Sequence, residues 1–285
     1  MPKTAGLYKS GLYKSEDELR RMVRPGIITR EALAAVRAAI QPGATTAELD
    51  AIAESVIRAA GAEPNFMLVP GYHHTICASV NDDVVHGIPG GRVIESGDIV
   101  SVDCGAQLDE FNGDSAITVV VPDPSRPDLV RARERLSNTT EGSLWAGIAA
   151  LAHARHVGEV GAAIEDFIHE QAEVSGPYGI LEGYVGHGIG RSMHEAPSVY
   201  NYRVRDRGPR VKPGLVLAIE PMVTAGSSDT FERDDGWTVA TSDGSASAHW
   251  EHSVAVHAGG IWVLTAEDGG ATGLARYGVT PVAIA

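Results

Sequence analysis

Apolar residues recur at helical spacing near the beginning of the chain. Between residues 15 and 40 they lie three or four positions apart, which predicts an amphipathic helix. A proline and a glycine at 25–26 interrupt this pattern and are expected to kink or split the helix. Thr45 and Glu48 have the spacing of a capping box, and they open a second predicted helix that stops at Gly61.

The pattern changes after residue 66 to short runs rich in β-branched residues, separated by Gly, Pro, Asn and Asp. These runs predict strands at 75–80, 98–106 and 116–121. Helical spacing returns across 128–152 and 157–174, and strands follow at 214–224, 238–241, 249–257 and 261–265. The repeated order of helix, helix, strands predicts an α+β fold. Two similar halves would join their strands in one antiparallel-rich sheet backed by helices.

The two ends of the chain lack these patterns. Residues 6–10 and 11–15 repeat the letters GLYKS in a polar stretch, so residues 1–15 are predicted to be a disordered tail. The repeat is interpreted as a tolerated duplication, with a binding peptide as the alternative. Residues 266–285 are Gly-rich without a clear period and are predicted to be a C-terminal tail. A single domain over residues 16–265 remains.

The composition of the chain argues against several classes of protein. A formal net charge of -14 gives no support to nucleic-acid binding, which needs a basic face. Cys77 and Cys104 are too few for a disulfide framework and fit a reducing compartment, so a cytoplasmic location is expected. The chain has no apolar stretch of signal-peptide length and no run of about 18 apolar residues, so neither export nor membrane insertion is indicated.

Two aspartates flank a turn in the segment DIVSVDCGAQLDEFNGDSAITVVV. Asp103 lies in the predicted strand before the turn, and Asp114 lies in the strand after it. A hairpin can bring the two carboxylates to one face of a sheet. Because two like charges this close repel each other unless a cation lies between them, the pair indicates a metal site. The alternative is that each aspartate caps a loop or is solvated.

A histidine between two glycines is the next candidate. In GYVGHGIGRSMHEAP, Gly186 and Gly188 allow backbone or ligand to approach His187 closely, and His194 follows seven residues later. Two histidines in a Gly-rich segment that ends in proline favour a site over an ordinary surface or core histidine.

Two glutamates lie in predicted apolar strands. Glu220 ends the apolar run of LVLAIEPMVT directly before Pro221, where a buried carboxylate is costly unless it is paired, protonated or bound to metal. Glu251 lies in SASAHWEHSVAV, with His249 on its face of the strand. A buried ion pair is the alternative for each glutamate.

The charges of these residues balance two divalent ions. Four carboxylates carry about -4 at neutral pH, and one imidazole adds a nitrogen ligand. This ligand set suits Mn, Fe, Co or Zn, and two such ions about 3.5–4 Å apart would bridge and activate a water. The sequence has no CxxC, and GHGIG lacks the glycine spacing of a phosphate loop. The predicted ligands are Asp103, Asp114, His187, Glu220 and Glu251.

Five motifs occur in the order and spacing of one known family. They are VVHGIP, VDCGAQLDEFNGDSA, GHGIGRSMHEAP, AIEPM and WTVATSDGSASAHWEH. The chain resembles the bacterial type I methionine aminopeptidases over residues 16–265. The resemblance implies the pita-bread fold for this single catalytic domain. It also implies removal of the N-terminal methionine from proteins whose second residue is small.

The resemblance implies a role for each site residue. The five ligands would hold two divalent ions, with Asp114 and Glu251 shared between them, and a metal-activated hydroxide would attack the first peptide carbonyl. Glu220 would shuttle the proton. His86 of VVHGIP would contact the scissile amide, and His194 would contact the substrate carbonyl and stabilise the tetrahedral intermediate. The substrate's free amino group would bind a metal, which limits cleavage to one residue.

The resemblance also implies an apolar pocket for the methionine side chain. The matching positions are Phe66, Val69, Tyr72, Cys77, Met193 and Trp237. Met and aromatic side chains suit a thioether, and packing of the core is the alternative for several of these residues. The segment LVPGYHH departs from the family's GYHGYP, because Val69 and Pro70 replace a tyrosine and a histidine. His73 and His74 take new positions nearby, where they either tune substrate choice or have no role.

Two other functions are compatible with some of these motifs and predicted ligands. Proline-specific aminopeptidases of the same fold use the same ligands, but they usually carry a large additional N-terminal domain, and only a short helical lead precedes the catalytic region here. A non-catalytic pita-bread module that binds partners would have lost ligands, and all five are present. The expected partners are nascent chains at the ribosome, with no nucleic acid and no membrane, and the expected state is a monomer.

Overall fold

The structure is a computed structural model that describes residues 11–285, and it opens with two capped helices. Helix α1 spans Glu16–Ala39 and helix α2 spans Thr46–Ala59. Both begin with a capping box, in which a hydroxyl and a glutamate each accept a backbone N–H of the other residue. The predicted start of the second helix is confirmed.

Helix α1 runs through its internal proline without a break, so the predicted split is wrong. Its inner face is fully buried, including Met22 and Ile28 on either side of Pro25. Gly26 lets this face approach its neighbours closely, since a Cβ at that position would lie 2.7 Å from the carbonyl oxygen of Leu264. Tertiary packing therefore offsets the hydrogen bond that proline cannot donate.

The later elements follow the predicted order, with additional short strands. The remaining helices are α3 (Pro127–Leu151), α4 (Gly158–Ser175) and α5 (Ala271–Leu274), with 3-10 turns at Asn65–Leu68 and Ala275–Tyr277. The first strands are β1 (Glu63–Pro64), β2 (Ile76–Val80), β3 (Asp83–Val85), β4 (Ile99–Leu108) and β5 (Phe111–Val120). The strands that follow α4 are β6 (Gly179–Ile180), β7 (Gly186–Gly188), β8 (Glu195–Val199), β9 (Val216–Ile219), β10 (Met222–Thr224), β11 (Thr230–Glu232), β12 (Val239–Thr241), β13 (Ser247–His249), β14 (His252–His257) and β15 (Gly260–Val263).

The strands pair antiparallel in four sheets. One contains β1, β4 and β2, with β5 beside β4, and the largest has the order β15-β14-β9-β7-β8. The two smaller sheets are β13-β10-β6 and β11-β12-β3. Paired backbone hydrogen bonds between Ala116 and Glu251 join β5 to the second half of the chain. The α+β class is confirmed, and the expected common sheet is interrupted at Glu220 and Glu251, where the chain crosses from one sheet to another.

The helices pack against the strands that carry the predicted site. Helix α1 contacts β4 and β5, and α3 contacts β5, β10 and β13. One apolar cluster extends through both halves, from Ile28 in α1 to Leu274 in α5, and fixes these strands relative to one another. Among residues 11–285, no helix has the length and apolar composition needed to cross a membrane.

The beginning of the described chain is ordered, so the prediction of disorder is wrong for residues 11–15. Lys14 is 7% exposed, and its Nζ forms an ion pair with Glu195. Its backbone N–H donates to the carbonyl oxygen of Gly214 at 2.7 Å. A polar sequence does not reveal contacts with residues this distant along the chain. Residues 1–10, which include the first GLYKS copy, lie outside the described residues.

The segment 266–285, predicted as an appended tail, packs against the domain. Leu274 is fully buried, and a Cβ at Gly273 would lie 2.2 Å from the Trp145 ring. The N–H of Val282 donates to the carbonyl oxygen of Ile261 at 2.9 Å. The glycines of this segment therefore allow close packing against tryptophan, which their composition alone does not distinguish from disorder.

Candidate metal centre and adjoining pocket

Antiparallel pairing brings three of the predicted carboxylates to one face of the strands. Ala116 in β5 pairs with Asp103 in β4 on one side and exchanges backbone hydrogen bonds with Glu251 on the other. Directly paired residues point to the same face, and the small Ala116 side chain leaves room between the two carboxyl groups. Asp114 lies two residues before Ala116 and therefore shares that face.

The second half of the chain supplies an imidazole and the fourth carboxylate. His187 lies in β7, paired with Ala218 of β9, and Glu220 follows directly after β9. His187 Nε2 lies 3.5 Å from Glu220 Oε1 and 4.0 Å from Asp114 Oδ2. The Nδ1 of His187 lies 3.0 Å from the carbonyl oxygen of Gly188, which fixes the ring so that Nε2 faces the carboxylates.

The electrostatics of this cluster disfavour four ionised carboxylates. Burial raises the pKa of Asp103 to about 7. Burial, and then the charges of neighbouring carboxylates, raise the pKa values of Asp114, Glu220 and Glu251 well above their ordinary range. Burial lowers the pKa of His187 to about 3, so its ring is neutral, as a metal ligand must be. The site is therefore under electrostatic strain that a cation would relieve.

The donor atoms fit divalent metal ions. Ligand atoms of Asp114, His187 and Glu251 lie within 4.8 Å of one another. Asp103 Oδ1, Asp114 Oδ1 and Glu251 Oε1 are buried without a hydrogen-bond partner. Buried oxygens without partners are costly, and carboxylate oxygens with one imidazole nitrogen form a common ligand set for Mn, Fe, Co and Zn.

A cavity adjoins these carboxylates, and every predicted site residue lines it. Its apolar part is formed by Phe66, Val69, Tyr72, Cys77, Met193 and Trp237. The Tyr72 ring meets the rings of Phe66 and Trp237 edge-on, with centroids 6.3 Å and 5.0 Å away. Its hydroxyl lies 3.2 Å from Cys77 Sγ. The walls are thus rigid aromatic surfaces next to a charged floor.

Two histidines that are not predicted ligands also face the cavity. The His194 ring lies 4.4 Å from the His187 ring, edge to face. His86 has a φ of 60°, which is rare for a residue other than glycine, and its ring packs on Tyr184 at 5.6 Å. Burial lowers the pKa of His86 to about 4 and also lowers the pKa of His194. Both imidazoles are therefore neutral near pH 7 and are able to donate a hydrogen bond.

Three residues at this site have no role predicted from the sequence. Val85 lines the cavity beside His86, and Tyr184 supports the His86 ring. His249 is buried, with Nε2 3.8 Å from Glu220 Oε2. The alternation of the predicted strand puts His249 on the same face as Glu251, and this is the feature of the sequence that indicates a position near the site. Nothing local marks Val85 or Tyr184.

Fold, ligand set and pocket together define a class, and the chain belongs to metallopeptidase family M24. The family model matches residues 20–258. The chain is therefore a hydrolase of a family that works with divalent metal ions.

The relatives agree with the resemblance seen in the motifs. Methionine aminopeptidase 1 of Mycobacterium tuberculosis is 48% identical over 254 residues, which are 88% of this chain and 94% of that protein. The crystal structure of a methionine aminopeptidase from Thermotoga maritima has a TM-score of 0.82 at 33% identity, covering 90% of this chain and 99% of that one. A prolidase from Pyrococcus furiosus shares the fold, with a TM-score of 0.68 at 21% identity over 90% of this chain and 65% of its own. The pita-bread fold and the resemblance to methionine aminopeptidases are confirmed.

Proposed function

We propose that this chain removes the N-terminal methionine from nascent polypeptides whose second residue is small. The observation that carries the proposal is one cavity with an apolar aromatic end and a floor of four carboxylates and an imidazole. A methionine side chain fits the apolar end, because a thioether packs favourably against aromatic rings and Cys77. The free α-amino group of the substrate would then lie beside the carboxylates of the floor. A peptide would therefore enter with its first residue, and only that residue would be removed.

The five floor residues are the proposed ligands for two divalent ions of Co, Mn, Fe or Zn. Asp103, Asp114, His187, Glu220 and Glu251 would hold them, with Asp114 and Glu251 shared. When bound, such ions polarise a carbonyl and activate water for hydrolysis. They would also neutralise carboxylates whose pKa values are raised by burial.

The remaining polar side chains would handle the substrate and its protons. Glu220 is proposed to accept a proton from water and pass it to the leaving amine, because burial raises the pKa of its carboxyl well above the ordinary range and so makes the carboxylate a stronger base. His194, beside the ligand His187, would donate a hydrogen bond to the scissile carbonyl oxygen as negative charge develops there. His86 would contact the scissile amide.

The proposal includes the substrates, the cellular compartment and the oligomeric state of the enzyme. The substrates would be nascent chains at the ribosome, met in the cytoplasm by a monomeric enzyme. The similarity to methionine aminopeptidases of two bacteria supports this substrate class.

A metal add-back assay tests the proposal. Protein stripped by a chelator would receive Mn, Fe(II), Co or Zn separately, with Met-Ala-Ser and a Xaa-Pro peptide as substrates. We expect metal-dependent release of methionine alone. Asp114→Asn should abolish release, whereas Asp128→Asn, an exposed aspartate of α3, should not change it. Preference for the Xaa-Pro peptide would assign the chain to the proline-specific enzymes, and no turnover with any metal would favour a binding module.

A further inference from the structure

A buried ion pair lies directly beneath the segment that carries His194. The side chains of Lys14 and Glu195 are 3% and 4% exposed, and Lys14 Nζ contacts Glu195 Oε2. Lys14 precedes the region of the family match, which begins at residue 20. The pair joins the start of the described chain to a residue 181 positions away, at the beginning of β8.

Glu195 fixes both ends of the short turn that contains the site residues Met193 and His194. Its Oε1 accepts the backbone N–H of Ser192 at 3.1 Å, while its own backbone begins β8. Gly190 closes the turn by donating its N–H to the carbonyl oxygen of Ser192. A Cβ at Gly190 would lie 2.5 Å from Lys14 Cε and 2.8 Å from Glu195 Oε1, so the lysine packs tightly against the turn.

The lysine is itself held by bonds on either side. Its backbone N–H donates to Gly214, and the Tyr13 hydroxyl donates to the carbonyl oxygen of Arg210 at 2.7 Å. The next residue, Ser15, is the N-cap of α1. Lys14 therefore belongs to a fixed strap and does not depend on Glu195 for its position.

We propose that Lys14 is a positioning residue, which acts through Glu195 to hold Met193 and His194 against the pocket. The proposal rests on the proposed function. A buried carboxylate that loses its cation is strongly destabilised and tends to turn towards water. If Glu195 turned, the Ser192 N–H would lose its acceptor and the turn would loosen. The His194 ring, 4.4 Å from His187, would then lose its fixed distance to the substrate carbonyl.

Two substitutions separate this role from a general contribution to stability. In Lys14→Met we expect kcat to fall at least about tenfold, with a smaller change in KM, because displacement of a catalytic group by about 1 Å has large effects on rate. Adding Glu195→Gln to Lys14→Met should restore most of the loss. The glutamine needs no counter-charge, and its Oε1 still accepts the Ser192 N–H. Ile168→Ala in α4 removes a buried side chain away from the turn, and it provides a control destabilised to a similar Tm.

A second readout does not depend on turnover. Hydrogen exchange of the metal-free protein should speed up in residues 189–196 for Lys14→Met, return towards the parent rate in the double variant, and stay unchanged there for Ile168→Ala. These results would support the positioning role even if the enzyme released no methionine, so failure of the proposed function is distinguishable. Unchanged exchange, or a kcat loss no larger than that of the control, would overturn the proposal.

The duplicated GLYKS offers a matched pair of deletions. Removal of residues 6–10 leaves one complete copy, with its lysine, directly before Glu16, and kcat should remain within about twofold of the parent, since chain termini generally tolerate deletion. Removal of residues 6–15 eliminates the lysine and should reproduce the Lys14→Met loss. Equal activity of the two deletions would contradict a role for Lys14.

Discussion

Replacing Asp103 with asparagine in the metal-free protein is expected to stabilise the fold, and increasingly so as the pH rises. In the fold the pKa of Asp103 is raised to about 7 by burial, from an ordinary value of 3.8. The folded state therefore keeps a proton that the unfolded state releases. A group with a raised acid pKa costs nothing at low pH, and its cost grows between the two pKa values.

The size of the effect follows from the two pKa values. A difference of about three pH units corresponds to about 4 kcal/mol, present in full above pH 7. Buried histidines change stability in the opposite direction. The pKa values of His187 and His249 are lowered to about 3, so their contribution increases as the pH rises to about 6.5. Both proteins contain these histidines, so the contribution of the histidines cancels in the difference between parent and variant.

Urea unfolding of chelator-treated parent and Asp103→Asn from pH 5 to pH 8 measures this difference. The stability advantage of the variant should increase with pH and level off above 7. Saturating Mn should reverse the order, because a metal at a hundred times its Kd adds about 2.7 kcal/mol to the parent, and the variant lacks one ligand. A pH-independent difference in the metal-free proteins would refute the argument that buried carboxylates strain this site.

Three further substitutions test the apolar pocket, the catalytic role proposed for His194, and the packing of Gly105 against Asn65. Trp237→Ala removes the ring that packs on Tyr72, and KM for Met-Ala-Ser should rise about tenfold or more in steady-state kinetics, with a smaller change in kcat. His194→Ala should lower kcat by about a hundredfold, while calorimetry finds metal affinity little changed. Gly105→Ala places a Cβ 2.2 Å from Asn65 Oδ1, so urea unfolding should show a loss of about 1–3 kcal/mol.

The residues proposed as ligands could be singled out from the sequence because a carboxylate is costly in an apolar strand or close to another carboxylate. Asp103 and Asp114 flank a short turn between strands, so their proximity follows from strand pairing alone. Glu220 ends an apolar run and Glu251 lies in the next long predicted strand, and the structure places each of them where the chain passes from one sheet to another. In a regular strand, side chains point alternately to the two faces of the sheet. A carboxylate between two strands does not have to follow this alternation, so it is able to face the proposed metal site.

The missed features depend on partners far away in the sequence. The sequence around Lys14 does not indicate that its side chain pairs with Glu195, and the polar residues next to it are typical of a terminal tail. The glycines after residue 265 were interpreted as part of an appended tail because composition does not reveal that Trp145 and Trp262 occupy the space beside them. Helix α1 continues through Pro25 because buried neighbours hold it, which a local propensity cannot include.

The features that the sequence did not predict all depend on contacts between residues far apart in the chain, and one of these contacts supports the site. A site that gathers four carboxylates, with Asp114 and Glu251 buried, is unfavourable before a metal binds, so its geometry must be enforced by the surrounding structure. Of the proposed ligands, Asp103, Asp114 and His187 lie in paired strands, and Glu220 and Glu251 each lie between two strands, whereas His194 lies on the turn between β7 and β8. Such a turn needs its own support, and the buried Lys14–Glu195 pair provides it at the position where strand pairing ends. The contact that the sequence predicts least is therefore the one that holds the turn of His194 in place.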